Sequence, residues 1–174
     1  MATCLLNKNL LKSNSCDYSL PEVKDIYVAN FADVVTASTS YDESGVTVTA
    51  ITLTTGASFF HIEPSKNSVS WSDELVVNDN GSKYRTHTIS FGISGKYDKD
   101  MPWSVDALSL GRFFVVVATA DGQYLALGRT VGMEASEQSV AGGSDSNGIT
   151  VTLTANVAES AVPLNDAAIA VVTG

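Results

Sequence analysis

The side chains capable of catalysis are few, and their spacing does not suit it. The chain has two histidines, His61 and His87. His61 follows Phe59-Phe60, and His87 alternates in phase with Ile89 and Phe91, so both read as strand residues. No Cys, His or carboxylate set stands at metal-ligand spacing, which leaves neither histidine a candidate ligand or base. Asp73-Glu74 is an adjacent carboxylate pair. Neighbours on a strand point to opposite faces, so the two read as solvated or ion-paired groups, not an acid–base couple. The Gly142-Gly143 run precedes a strand pattern and therefore lacks the helix N-terminus that cradles phosphate. No G-x-S-x-G, P-loop or dinucleotide fingerprint occurs. Trp71 and Trp103 are isolated and read as core anchors or interface plugs. Cys4 and Cys16 could close one short loop, but two cysteines do not make a disulfide framework, and they read as free thiols in a reducing cytoplasm. The expectation is a non-enzymatic chain with no catalytic, cofactor-binding or metal-binding residue.

The elements that would position any function centre on the stretch from Asn67 to Met133. Asn80-Gly81 and Asp121-Gly122 are its turn signals, dipeptides that tolerate the positive φ of two-residue hairpins. Between them Arg85, His87, Ile89, Phe91 and Ile93 share one strand face, and Thr86, Thr88, Ser90, Gly92 and Ser94 the other. Asp100-Met101-Pro102 offers a helix start, because a first-turn proline lacks only an N–H that has no helical partner. Val105, Leu108 and Leu110 would face inward, and Gly111 would end the helix. Phe113 to Ala118 is continuously apolar and predicts a strand buried on both faces.

Elsewhere, residues 1–24 read as a polar arm that docks by its leucines, followed by a single domain over 25–174. Leu5-Leu6 and Leu10-Leu11 are split by Asn7, Lys8 and Asn9, so no signal-peptide core of the needed length occurs, nor any membrane-spanning run. Ile26 to Phe31 is a strand candidate, Asp33 to Ser44 is weak, and Asp42 to Gly45 reads as a turn. From Gly45 to Ile62 there is no Asp, Glu, Lys or Arg. Val46, Val48 and Ala50 have one parity and Ile51 and Leu53 the other, which predicts a bulge near Ala50-Ile51. Such an uncharged strand is either interior to the subunit's own sheet or an edge covered by a neighbouring copy. On the second reading Val46, Thr47, Val48, Thr49, Ile51, Thr52, Leu53 and Thr54 form a subunit interface. Phe59 to Ile62 is strand and Pro64 stops it. Gly132 and the run Ala141–Gly148 suggest a long flexible loop, placed over 136–148. Ile149, Val151, Leu153, Ala155 and Val157 alternate with polar residues as a half-buried antiparallel strand, and Ala167 to Val172 reads as a closing strand. The fold class is mainly β: an antiparallel β-sandwich or flattened barrel with one short flanking helix.

The formal net charge is −9, and residues 130–174 contain five carboxylates with no Lys or Arg. Affinity for phosphate backbones depends on Lys and Arg releasing counterions, so the chain is a poor nucleic-acid binder. The same charge suits a wall past which nucleic acid must slide.

Taken in order, Ile26-Tyr27-Val28-Ala29-Asn30-Phe31, Phe59…Ile62-Glu63, Ser68-Val69-Ser70-Trp71-Ser72-Asp73-Glu74-Leu75 and Tyr84-Arg85-Thr86-His87-Thr88-Ile89-Ser90-Phe91 carry a resemblance. So do Leu110-Gly111-Arg112-Phe113-Phe114-Val115-Val116-Val117, Asp121-Gly122-Gln123-Tyr124-Leu125-Ala126-Leu127-Gly128, Gly132-Met133-Glu134-Ala135 and Gly148 to Thr154. Over residues 25–172 the chain resembles the tail-tube and tail-ring virion structural proteins of tailed phages and prophages of Bacteroidetes-type bacteria. The resemblance implies a sandwich or barrel with a flanking helix, in subunits that pair sheets around a homo-oligomeric, hexameric ring and line a lumen for DNA. It also implies adjacent tail or neck proteins as partners, no cofactor, no membrane, and a place in the virion tail after assembly in the host cytoplasm. The polar N-terminal arm departs from the pattern. Rival expectations are a head-decoration or collar protein, and a ligand-binding β-sandwich module with clustered exposed aromatics.

Overall fold

The computed structural model describes residues 22–42, 45–94, 99–143 and 147–174. Their centre is β7 (Arg112–Thr119), whose six residues from Phe113 to Ala118 are all buried. Along one edge β7 pairs antiparallel with β1 (Val23–Asn30), which in turn pairs with β4 (Phe60–Ile62). Its other edge is divided between two partners. Arg112 and Phe113 pair with the start of β9 (Met133–Gly142), whereas Val115 to Ala118 pair with β8 (Tyr124–Leu127), which holds the two-residue β11 (Val162–Pro163). From β9 the sheet continues through β10 (Asn147–Val157) and β6 (Lys83–Ser94) to β5 (Ser70–Val77).

The change of partner along β7 lets one nine-stranded sheet fold over itself as a sandwich. Phe113, Val115 and Val117 of β7, with Ile26 and Val28 of β1, meet Ile89 and Phe91 of β6 and Ile149, Val151 and Leu153 of β10 in one core. Because the side-chain period of a strand is two, Phe114 and Val116 point the other way. They meet a third layer, the separate hairpin of β2 (Val34–Asp42) and β3 (Gly45–Leu53). The β7 strand is thus apolar on both faces because each face supports a core. The path ends at β11 and β5, so the sheet is an open sandwich and not a flattened, closed barrel.

Most of the pattern-based expectations hold. His87, Ile89 and Phe91 share the buried face of β6, and β10 alternates as expected from Ile149 to Val157. The helix α1 spans Met101–Leu110 with Pro102 in its first turn and Gly111 at its end. Gly111 is extended, not left-handed; a Cβ there would lie 2.5 Å from the Phe113 ring. The bulge occurs at Thr49, where the register passes from Thr39↔Val48 to Ser38↔Ala50, and it turns both Val48 and Ile51 inward.

Five expectations are corrected. Asp33 to Ser44 is not weak, since Val34–Asp42 forms β2, held by its ladder to β3. Residues 136–142 and 147–148 are strand and not loop: Glu134–Gly142 pairs with Asn147–Thr154, and β9 lacked a periodic signal because most of its side chains are exposed; residues 144–146 of the expected loop lie outside the described residues. Ala167 to Val172 belongs to a helix, α2 (Asp166–Thr173), because the Asn165 side chain caps it by accepting the Ala168 N–H at 2.9 Å. Leu110 faces out of α1 at 87% exposure. The two glycine turns have three-residue loops: Asn78 and Thr119 donate their N–H to the carbonyls of Ser82 and Gln123, and within each loop only the glycine has positive φ. The arm, here residues 1–21, with Cys4 and Cys16, lies outside the described residues, and β1 begins at Val23.

Candidate assembly surfaces and a polar node

The uncharged β3 segment is divided by its bulge. Val48 and Ile51 face their own subunit's second core, packed with Phe114, Val116 and Ala168. Val46, Thr47, Thr49 and Leu53 are half-buried, and Thr52 and Thr54 are exposed. One edge of β3 belongs to β2. The other meets the start of the α2 segment, where Val48 forms a parallel bridge with Leu164 and its carbonyl accepts the Asn165 N–H at 3.0 Å. Of the eight predicted interface residues, Thr52 and Thr54 are therefore the most open to a neighbour.

Sequence reasoning missed a polar node that ties the three layers together. Arg85 Nε donates to Asp73 Oδ1 at 2.6 Å, Arg85 Nη2 donates to the Asp73 carbonyl, and the Ala161 N–H donates to Asp73 Oδ2 at 2.9 Å. Beside them His87 is 1% exposed, and its Nδ1 accepts the Gly128 N–H at 3.1 Å. That leaves the ring proton on Nε2, which faces Asp73 Oδ1 at 3.4 Å, too long for a good hydrogen bond. Next in the chain, Arg129 grips Glu159 with both Nε and Nη2, at 2.8 and 2.5 Å, while its Nη1 donates to the Ala37 carbonyl of β2. Asp73 is paired, one of the two alternatives its sequence left open; the cluster itself was hidden because its members come from five separate segments. With His87 closed to solvent, the cluster can clamp the layers.

Its electrostatics predict an acid response in two stages. Burial pushes the His87 imidazole below its ordinary value of 6.5, against the pull of Asp73 and Glu159. Burial also raises the Asp73 carboxyl, but the Arg85 and Ala161 hydrogen bonds and the nearby positive groups outweigh it and hold Asp73 below its usual 3.8. The unfolded chain thus takes up the histidine proton first. Stability should be full above pH 6.5 and fall as pH drops from there toward the lower native value of His87; a second loss should begin below 3.8. Urea midpoints measured from pH 8 to 3 check this, and His87→Gln should remove the first stage alone.

The exposed apolar residues lie in separate places. At the β5 end of the sheet Leu75 and Val77 are each 56% exposed. At the opposite end of the sandwich, a groove of about 460 Å³ opens beneath α1, lined by residues that include Val28, Phe60, Ile62, Trp103, Leu108 and Phe113. Phe60 and Trp103 stand at 56% and 81% exposure, so Trp103 is no core anchor, whereas Trp71 packs against the first core. On β4, His61 Nε2 and Asp25 Oδ1 are 2.7 Å apart, and the ring stacks on Tyr27.

These features define a three-layered, mainly antiparallel β-sandwich with open strand edges and uncovered apolar side chains. No protein-family model, curated protein or solved structure matches the chain.

Proposed function

We propose that this chain is a non-enzymatic virion structural subunit that self-assembles into a ring or tube of a phage tail and lines a channel for DNA. The observation that carries the reading is the pair of apolar surfaces on different parts of the subunit, Leu75 and Val77 beside the Lys83 end of β6 and the groove beside its Ile93 end. A head-to-tail contact needs two different surfaces, and closing it on itself makes a ring. The acidic charge supports it as well, since a lumen without basic grips lets phosphates pass. The motif resemblance points the same way.

Light scattering over a range of concentrations, with negative-stain imaging of the heaviest species, tests it. Rings or tubes with an open centre are expected. Leu75→Lys with Val77→Lys should return the protein to monomer without changing its circular dichroism, and Thr52→Lys tests the β3 segment in the same assay. A monomer at every concentration would count against self-assembly. The groove favours a second reading, a ligand-binding module: that protein would stay monomeric and bind an apolar ligand with a change in Trp103 emission.

A further inference from the structure

We propose that the groove beneath α1 receives the leucine-bearing N-terminal segment of a second copy of this chain, residues 4–11. The inference rests on the self-assembly reading and specifies one of its contacts.

The groove is apolar and open, with the Trp103 and Phe60 rings uncovered at its rim. An occupant must therefore bring apolar side chains. Residues 1–21 bring Leu5, Leu6, Leu10 and Leu11 within seven positions, with no carboxylate before Asp17. They are also the basic part of an acidic chain. Lys8 and Lys12 against Asp17 give +1, which leaves −10 for the other residues of a chain whose total is −9. The N-terminal segment is thus drawn to the acidic body of its own or a neighbouring copy.

The self-assembly reading, together with the point of attachment, favours a second copy. The chain enters β1 beside the β7–β8 turn, where the Glu22 carbonyl accepts the Ala120 N–H at 2.9 Å. From there β1 runs to Asn30, which lines the groove. At about 3.3 Å per residue the two ends of β1 are roughly 23 Å apart. The segment is attached at one end of the strand and the groove opens at the other. With a second copy set end to end, donor and acceptor meet in a heterologous contact, which propagates or closes into a ring. The ten residues from Lys12 to Pro21 can span up to about 35 Å, enough to reach a neighbour or the chain's own groove, and the cross-link separates the two.

Cysteine cross-linking in the full chain tests this directly. Cys4 adjoins Leu5, and Ala107 lines the groove with its side chain exposed. In a Cys16→Ser background, Ala107→Cys should give, on mild oxidation, covalent dimers and longer species. Peptide mapping should find the disulfide between Cys4 and the introduced thiol. Its yield should exceed that from Lys83→Cys, at the far end of β6, by about tenfold, because docking raises the local concentration. Serine at Leu5, Leu6, Leu10 and Leu11 should abolish the excess. A disulfide confined to single chains would overturn the proposal in favour of the chain's own segment. A yield equal to the Lys83→Cys control would overturn it altogether. If rings form under the microscope without the cross-link, the assembly reading stands and the docking proposal falls; if neither is seen, both fall.

Discussion

Asp73→Ala should lower the unfolding free energy by about 3 kcal/mol, the low end of the range for breaking a buried ion pair. The carboxylate accepts from Arg85 and the Ala161 N–H, so its removal leaves two donors without their acceptor and takes away the charge facing His87. The effect sits at the low end because the Arg85 side chain is partly exposed and can turn into water. Glu74→Ala, one residue away on the solvent side of β5, should change stability by no more than about 0.5 kcal/mol. Urea unfolding of the two variants checks the contrast. In Asp73→Asn the loss of stability below pH 3.8 should disappear, because the group responsible no longer titrates. Equal effects at Asp73 and Glu74 would mean that the node does not clamp the layers.

Phe114→Ala should cost about 3–5 kcal/mol, the usual range for deleting a buried aromatic ring. Phe114 is fully buried between the central strands and the β2–β3 hairpin, and it meets Phe59 edge-to-face at 5.8 Å between ring centroids. The loss should be uneven in space. The second core, with Val48, Ile51, Ala168 and Val172, depends on this ring, whereas the first core is filled from the opposite face of β7. Hydrogen exchange should therefore show amides of β2, β3 and α2 opening first, while β6 and β10 keep their protection. A uniform loss of protection would show instead that the two cores unfold as one unit.

Where burial follows a short period, this chain could be read in one dimension. Phe113 to Ala118 is apolar at every position because both faces of β7 are covered, and β6 and β10 alternate because one face is. Pro102 with Gly111 bounded α1, and the change of parity in β3 announced its bulge to within a residue or two. Asn80-Gly81 and Asp121-Gly122 marked the turns, though not the three-residue form of their loops.

The failures share a cause. Strand β9 has few buried side chains and is held by backbone pairing to β10, which leaves no periodic trace. The AAIAVV run suits either a strand or a helix by composition, and the Asn165 cap with packing against β3 decided for helix. Arg129 reaches Glu159 and Ala37 across 30 and 92 positions, and Asp73 receives the Ala161 N–H across 88, so no local pattern could announce the node.

By itself, then, the sequence determined the strand faces, the turn positions, the main helix and the acidic, uncharged-at-β3 character of the chain, because propensity and alternation act between near neighbours. Only the tertiary structure decided which strands pair, which layer β3 covers, how the ionic node closes and where an apolar groove is left open. Those outcomes depend on contacts between distant segments, whose free energy is realised only once the chain has folded.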